Sequence, residues 1–331
     1  MKLLETIGLA SRVDSPLLQS PVLVEASCLQ DGLGEPSCVA LSPSRTRFAD
    51  YLELTKPRIA VLVLFTVAAG ALLGSRSAID LTIFLHTLIG TALVAAGASV
   101  LNQLLERHAD AMMRRTENRP LPAGRIQPLE ALLFGAGLGG GGLVYLMLLV
   151  RHPLPMLIAG ITFVSYVLVY TPLKRITTLN TLVGAVPGAL PPLIGWTAAG
   201  GELGTEAAVL FLILFLWQVP HFLAIAWIYR DDYARARLWM LPVADLNGGM
   251  TGRQMTAYAF ALIPATLCWG ALSSAGVGFM LAAQILGVAF LWSAIGFLRQ
   301  RSTSSARRVL HLSLVYLPAV LTLLLVQRAL N

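Results

Sequence analysis

The sequence predicts an all-α membrane protein, a bundle of about nine transmembrane helices. Three observations support this prediction. Hydrophobic residue types make up 56% of the 331 residues and charged types only 12%, which is about half the charged fraction of a soluble domain. Apolar runs of about twenty residues, the length that crosses a bilayer as a helix, recur along the chain. Basic residues are concentrated in alternate loops between these runs.

The predicted spans follow one another along the chain with short polar connections. They are Ile59–Ser75, Leu81–Leu101, Leu129–Val150, Leu154–Tyr170, Thr181–Ala199, Ala207–Ile228, Thr256–Leu272, Val277–Leu298 and Val309–Val326. Strands of a membrane barrel would alternate polar and apolar residues, and these runs do not. We expect residues 1–48, which are rich in Ser, Pro and Gly, to form a flexible cytoplasmic N-terminal tail and residues 49–331 to form the transmembrane domain.

The formal net charge of +7 reflects membrane topology rather than nucleic-acid binding. The basic residues precede the first span and follow the second, fourth, sixth and eighth spans. The positive-inside rule therefore places the N-terminus and these loops in the cytoplasm. An odd number of spans places the C-terminus outside, and we expect a multi-pass protein of the cell inner membrane.

A polar patch, NQLLERHADAMMRRTENRPLPAGR (Asn102–Arg125), follows the second span. Asn102, Glu106 and Asp110 are spaced four apart, so a helix places their oxygens on one face, where they could bind a single cation. Hard oxygen ligands suit Mg²⁺, which commonly bridges carboxylates to substrate phosphates. Arg115 and Arg119 carry the forked donors that bind phosphate oxygens. The alternative is a solvated loop that obeys the positive-inside rule, and spacing alone does not decide between the two.

Further polar segments lie at the cytoplasmic ends of other spans. A second acidic pair, Asp231 and Asp232, lies in WQVPHFLAIAWIYRDDYARAR (Trp217–Arg237) and could bind another Mg²⁺. Of the two we favour Asp232 as the ligand, because adjacent residues cannot both point into one cavity. In YTPLKR, Lys174 lies four residues after Tyr170 and could neutralise a leaving diphosphate. The basic residues of TKPR (Thr55–Arg58) lie at the mouth of span one. Helix-end charge clusters and topological anchors are the alternative interpretations of these segments.

Together these motifs identify a family resemblance. The chain resembles the protoheme IX farnesyltransferases, or heme O synthases, among the UbiA-type intramembrane prenyltransferases. The segments that carry the resemblance are TKPRI, the Asn102–Arg125 patch, YTPLKR, NTLVGAVPGALPPLIGW (Asn180–Trp196) and WQVPHFLAIAWIYRDDYARA. The resemblance runs from roughly residue 50 to the end of the chain and implies the UbiA-type fold. It also implies that heme B and farnesyl diphosphate react in the presence of Mg²⁺ to give heme O for respiratory terminal oxidases. The implied protein partners are heme A synthase or terminal oxidase assembly proteins.

The resemblance carries roles over to Asn102, Glu106, Asp110, Arg115, Arg119, Tyr170, Lys174 and Asp232, and the polar segments themselves supply the other candidates. Metal-binding positions are Asn102, Glu106, Asp110, Asp231 and Asp232, and the catalytic candidates are Asn102, Asp110, Lys174 and Asp232. Diphosphate-binding candidates are Lys56, Arg58, Arg115, Arg119, Tyr170, Lys174, Arg175 and Arg230. His221 is the candidate heme contact, because ionisable groups within spans are often functional. The family often has aspartate at the positions of Glu106 and His108, so we assign His108 no metal.

Two other functions remain open from the sequence. A prenyltransferase of the same class could act on a quinone-ring precursor or a chlorophyll-type alcohol, although the WQVPHF block argues against these acceptors. Paired acidic residues in a membrane protein also occur in ion-coupled transporters, which would include a heme carrier. Those residues usually lie near the middle of the bilayer rather than at helix ends, so the transporter is the weaker hypothesis.

Overall fold

The computed structural model describes residues 46–76, 78–273 and 275–330, and every regular element among them is helical. The predicted all-α class is therefore confirmed. The predicted N-terminal tail falls almost entirely outside the described residues. The helices are α1 (Arg47–Leu54), α2 (Pro57–Gly74), α3 (Leu81–Asp110), α4 (Pro128–Leu149), α5 (Pro153–Val164), α6 (Thr171–Leu173), α7 (Asn180–Ala189), α8 (Pro191–Ala198), α9 (Thr205–Ile228), α10 (Arg230–Arg235), α11 (Leu241–Ala244), α12 (Gly249–Leu272), α13 (Val277–Gln300) and α14 (Thr303–Leu330).

Eight helical stretches within the described ranges are long and apolar enough to cross a membrane. Seven are single helices, and the eighth joins α5, a π-helix (Ser165–Tyr170) and α6 into one stretch of 21 residues. The fifth predicted span is two shorter helices, α7 and α8, which meet at Leu190. Pro191 causes this break, because proline has no N–H to donate and its ring clashes with the preceding turn.

Small residues allow neighbouring helices of the bundle to approach closely. A Cβ added to Gly195 of α8 would lie 1.9 Å from the Val67 carbonyl oxygen of α2. One added to Gly97 of α3 would lie 2.4 Å from the backbone nitrogen of Gly139 of α4. Gly139 belongs to the glycine-rich stretch at positions 135–142 of α4, where the lack of side chains permits this close packing.

Helix α3 positions the polar patch, because it continues nine residues beyond the predicted end of its span, to Asp110. The chain that follows it packs against the end of α9 and the segment after α10. Ala109 and Met113 share one buried apolar cluster with Ala226 and Ala236. The two polar helix ends therefore lie side by side at one end of the bundle.

Candidate active site

The last turns of α3 present three oxygen-bearing side chains on one face. Asn102, Glu106 and Asp110 are 1%, 8% and 1% exposed, and we call these three residues the oxygen face. Polar groups so deeply buried are stable only when they are paired. The partners of the oxygen face therefore define the site.

Each member of the oxygen face contacts a cation from a different segment. Lys56 Nζ, between α1 and α2, donates to Asn102 Oδ1 at 3.2 Å. Lys174 Nζ, after α6, lies 2.7 Å from Glu106 Oε1. Arg119 Nη1, in the loop after α3, lies 2.8 Å from Asp110 Oδ2. Three predicted diphosphate ligands thus converge on the three predicted metal ligands of the first motif.

Lys56 reaches the site through an uncommon backbone conformation. Its φ of 50° and ψ of 60° are left-handed, which costs a residue other than glycine about 1–3 kcal/mol and is concentrated at functional sites. Burial lowers the pKa of Lys56 to about 8, and the charges of Arg119 and Lys174 add to this effect. The negative charges of Glu106 and Asp110 act to raise the pKa of Lys56. Three cations and two carboxylates therefore share one small volume.

Lys174 is held at both its side chain and its backbone. Burial, the largest single effect, would lower its pKa, but Glu106, Tyr170 and Tyr166 together outweigh burial and raise the pKa of Lys174 well above its ordinary value. Its ammonium also lies 4.5 Å from the centre of the Tyr170 ring. The backbone N–H of Trp239 donates to the Lys174 carbonyl at 2.7 Å, and Asn180 Nδ2 donates to the Trp239 carbonyl at 2.8 Å. The segment after α10 therefore fixes the position of Lys174.

The second acidic segment separates its two aspartates. The side chain of Asp231 is 91% exposed, whereas that of Asp232 is 13% exposed and forms an ion pair with Arg235. Arg235 Nε also approaches the Met112 carbonyl oxygen at 3.5 Å. Asp232 is thus the less exposed of the two aspartates, and Arg235 links it to the loop after α3.

Arg115 joins the two segments. Its guanidinium lies 4.6 Å from the centre of the Tyr229 ring and 6.0 Å from that of Tyr233. Its Nη2 approaches the Tyr233 hydroxyl at 3.5 Å. Because Arg115 remains exposed, it lies at the rim of the site rather than among the buried pairs.

The remaining predicted ligands lie outside the buried group. Arg58, Arg175 and Arg230 are exposed, and the guanidinium of Arg230 lies 4.5 Å from the Trp227 ring. His108 is exposed, consistent with its having no assigned metal. Over the described ranges, no three His, Cys, Asp or Glu side chains are grouped closely enough to hold a metal ion between them. The two acidic pairs therefore do not form one carboxylate cage.

His221 lies in α9 within a defined hydrogen-bond network. Its Nδ1 lies 2.7 Å from Ser313 Oγ, and the Ser313 hydroxyl donates to the Leu310 carbonyl at 2.7 Å. The tautomer with the proton on Nδ1 satisfies both contacts, because the Ser313 hydroxyl can then donate to Leu310. Nε2 of the neutral ring then keeps its lone pair. Trp217 stacks on the imidazole with ring centres 4.9 Å apart.

The structure adds buried polar residues that the sequence analysis did not select. Thr171 and Asn180 are 4% and 0% exposed and hydrogen-bond to parts of the site. Gln218 is 3% exposed and donates to the Leu214 and Ala185 carbonyl oxygens of α9 and α7. A polar side chain within or beside an apolar span is the signal that could have identified all three.

Comparisons with known proteins agree with this architecture. The model of the UbiA prenyltransferase family matches residues 63–315. A protein of Solibacter usitatus named protoheme IX farnesyltransferase is 46% identical over 291 residues, which cover 84% of this chain and 98% of that protein. A protein of Salinibacter ruber with the same name is 46% identical over 277 residues, with coverage of 84% and 98%.

Solved structures share the fold at low sequence identity. A structure of digeranylgeranylglyceryl phosphate synthase aligns with a TM-score of 0.72 at 19% identity and covers 86% of this chain and 99% of its own. A UbiA homolog from Archaeoglobus fulgidus bound to GPP and Mg²⁺ aligns with a TM-score of 0.61 at 16% identity, covering 83% and 99%. At this level of identity the likeness concerns the fold alone.

Proposed function

The chain belongs to the UbiA prenyltransferase family, and from that premise we propose that it transfers the farnesyl group of farnesyl diphosphate to a vinyl group of heme B. Water is added in the same reaction, which gives heme O and diphosphate. The observation that carries this proposal is the 46% identity to proteins named protoheme IX farnesyltransferase over 98% of their length. The site on α3 supplies the groups that such a reaction needs.

The oxygen face fits Mg²⁺ by the chemistry of its donors. Mg²⁺ is usually held by one or two carboxylates together with phosphate oxygens, rather than by a cage made only of protein groups. Glu106, Asp110 and the amide oxygen of Asn102 offer such a set, buried and on one helix face. When bound, Mg²⁺ supplies positive charge that offsets the charge developing on the diphosphate. Asp232 is the candidate for a second metal position, and Asp231 is too exposed for that role.

The three half-buried cations of the site are the proposed ligands of the diphosphate. Lys56, Arg119 and Lys174 now pair with the oxygen face, and phosphate oxygens can replace those contacts when the substrate enters. Their charges then stabilise the negative charge that builds up as the C–O bond breaks. Arg115 at the rim is placed to contact the diphosphate from the side of α10. Arg58, Arg175 and Arg230, being exposed, are better suited to attracting the anion than to holding it.

The bonding changes balance without a basic side chain. The electron pair of the C–O bond leaves with diphosphate, and the first carbon of the farnesyl group becomes cationic. The outer carbon of a heme vinyl group attacks it, which forms the new C–C bond and moves the positive charge to the carbon beside the porphyrin ring. Water adds to that carbon and releases a proton. Tyr166 and Tyr170, whose ring centres lie 5.4 Å apart beside Lys174, offer aromatic faces that stabilise a cation.

His221 is the proposed heme contact, and its tautomer favours the iron. A lone pair on Nε2 suits a metal ion, whereas a heme propionate would require a donor. We further propose that the chain lies in the cell inner membrane with its N-terminus in the cytoplasm and its C-terminus outside, as the distribution of basic residues indicates. This orientation requires α7 and α8 together to cross the membrane as a ninth span, beside the eight long helical stretches of the described ranges. Heme A synthase and terminal oxidase assembly proteins are the protein partners consistent with its product.

A product assay tests the proposal. Membranes that contain the protein should convert heme B to heme O when farnesyl diphosphate and Mg²⁺ are supplied, and chelation of Mg²⁺ should stop the conversion. Mass spectrometry of the product distinguishes a farnesylated heme from a prenylated quinone precursor. Protein that binds both substrates without converting them would contradict the proposal. Heme flux into proteoliposomes without any product would favour a carrier instead.

A further inference from the structure

The side chain of Asn102 differs from the two carboxylates of the oxygen face because its two terminal atoms are chemically different. Its side chain carries an oxygen acceptor at one end and an NH₂ donor at the other. Only the oxygen can bind a cation, so the usefulness of Asn102 as a ligand depends on which way the amide points. Asn102 is 1% exposed, and its neighbours therefore determine that orientation.

The hydrogen bonds of Thr171 determine the direction of the amide. The Thr171 hydroxyl donates to the Tyr166 carbonyl at 2.9 Å, which uses its single proton. Its oxygen can then only accept, and it does so from Asn102 Nδ2 at 3.0 Å. The amide oxygen must face the opposite side, where Lys56 Nζ, a pure donor, approaches it at 3.2 Å. Two independent contacts thus require the same orientation.

The π-helix supplies the carbonyl on which this arrangement depends. The Tyr166 carbonyl accepts the backbone N–H of Thr171, five residues further on, as well as the Thr171 hydroxyl. Such π-helical turns are uncommon and frequently occur at functional sites. Thr171 is 4% exposed, so solvent does not compete strongly for its hydroxyl.

We propose that Thr171 is a positioning residue, which turns the amide oxygen of Asn102 toward the Mg²⁺ of the diphosphate site. The inference rests on the proposed function, since it concerns the metal of that reaction. A cation that binds the amide oxygen takes the place of Lys56, which leaves Thr171 to orient the amide. Removal of the hydroxyl would then leave the amide free to rotate and to present its NH₂ group to the cation. Partners that orient a metal ligand typically contribute 10–100-fold in metal affinity or activity.

Manganese binding to the purified full-length chain tests this role without turnover. Mn²⁺ alone is titrated and its free fraction is followed by electron paramagnetic resonance. Thr171→Val, which keeps the shape and removes the hydroxyl, should weaken Mn²⁺ binding about 10–100-fold, while Thr171→Ser should restore most of it. Thr197→Val is a matched control, because the Thr197 hydroxyl is equally buried and donates to the Leu193 carbonyl in α8. That control should bind Mn²⁺ like the wild type.

A second background separates orientation from a general effect on folding. In Asn102→Asp both ends of the side chain are oxygens, so no orienting contact is needed. Thr171→Val should therefore cost little or no Mn²⁺ affinity in the Asn102→Asp background, although it costs about 10–100-fold in the presence of Asn102. A purely structural role of Thr171 would give the same loss in both backgrounds and would overturn the inference.

The outcomes also separate this inference from the proposed function. If the wild type binds no Mn²⁺ above a detergent blank, the metal site of the proposed function fails and the inference fails with it. If the wild type binds Mn²⁺ and Thr171→Val binds it equally well, the inference alone fails. Weakened binding in Thr171→Val, recovery in Thr171→Ser and no loss in the Asn102→Asp background would support it.

Discussion

The ammonium of Lys174 lies 2.7 Å from the Glu106 carboxylate, and the two side chains are only 14% and 11% exposed. The pair joins α3 to the segment that follows the π-helix, across 68 positions of sequence. Each partner is a candidate for a different ligand, Glu106 for Mg²⁺ and Lys174 for diphosphate. The contact therefore neutralises two charges that the proposed reaction later uses separately.

Removal of Lys174 should affect both activity and stability. We expect Lys174→Met to reduce heme O formation by about 10²–10³-fold, as removal of one charge-stabilising donor usually does. The substitution also leaves Glu106 buried without its cation, which costs about 3 kcal/mol. Steady-state heme O assays and thermal melting of the purified protein measure the two effects.

A double variant serves as the control for this prediction. Replacing Glu106 with glutamine in the Lys174→Met background removes the unpaired charge, so the melting temperature should recover while activity stays low. Recovery of activity together with stability would show that Lys174 has only a structural role. Unchanged stability in Lys174→Met would contradict the importance of the buried pair.

Asp110 should be essential for turnover but not for accumulation of the protein. Asp110→Asn keeps the shape and a hydrogen-bond acceptor for Arg119, which contacts Asp110 at 2.8 Å. It removes the negative charge that the proposed metal requires. We expect heme O formation to be abolished at normal expression in membranes, as judged by immunoblot beside the product assay. Full activity would remove the metal assignment of Asp110.

The parts of this site that the sequence could predict follow local geometry. The spacing of Asn102, Glu106 and Asp110 places them on one face only if α3 stays helical beyond the apolar run, and it does so to Asp110. The sequence also predicts that these metal ligands lie near the basic diphosphate ligands. In the structure, each of the three contacts one of Lys56, Arg119 and Lys174. The 3.6-residue period of the helix is sufficient for this inference.

The parts that could not be predicted depend on long-range packing or on rare backbone geometry. No periodicity indicates that the chain forms a π-helix before Thr171, or that the Thr171 hydroxyl meets Asn102. The predicted fifth span reads as one continuous apolar run, yet Pro191 divides it. Asp232 is less exposed than Asp231. Arg235 contacts both Asp232 and the loop after α3, and two adjacent aspartates in a sequence do not reveal such a contact.

The two adjacent aspartates of α10 should respond very differently to the same substitution. Asp231 is 91% exposed in its side chain, and surface substitutions usually stay within about 0.5 kcal/mol. Asp231→Asn should therefore leave protein stability nearly unchanged, and because the side chain faces solvent, heme O formation should stay close to the wild-type rate. Asp232→Asn, at the partly buried position, should lose most activity. Equal losses in parallel assays would show that the exposure of the two side chains does not reflect their roles.

His221 should determine heme binding without affecting the diphosphate site. In the tautomer that satisfies both Ser313 contacts, Nδ1 carries the proton and Nε2 keeps a lone pair for heme iron. We expect His221→Phe to weaken heme B binding by about tenfold or more, as measured by titration of the Soret band. The spectrum of the heme iron should change as well, while Mn²⁺ binding should stay as in the wild type. Ser313→Ala should have a smaller effect in the same direction, because the imidazole then lacks the partner that favours a proton on Nδ1.

His86→Phe is the matched control, since His86 of α3 pairs with the Tyr145 hydroxyl of α4. The His86→Phe variant should bind heme normally. Identical heme affinity and spectra in His221→Phe and the wild type would exclude His221 as the heme contact.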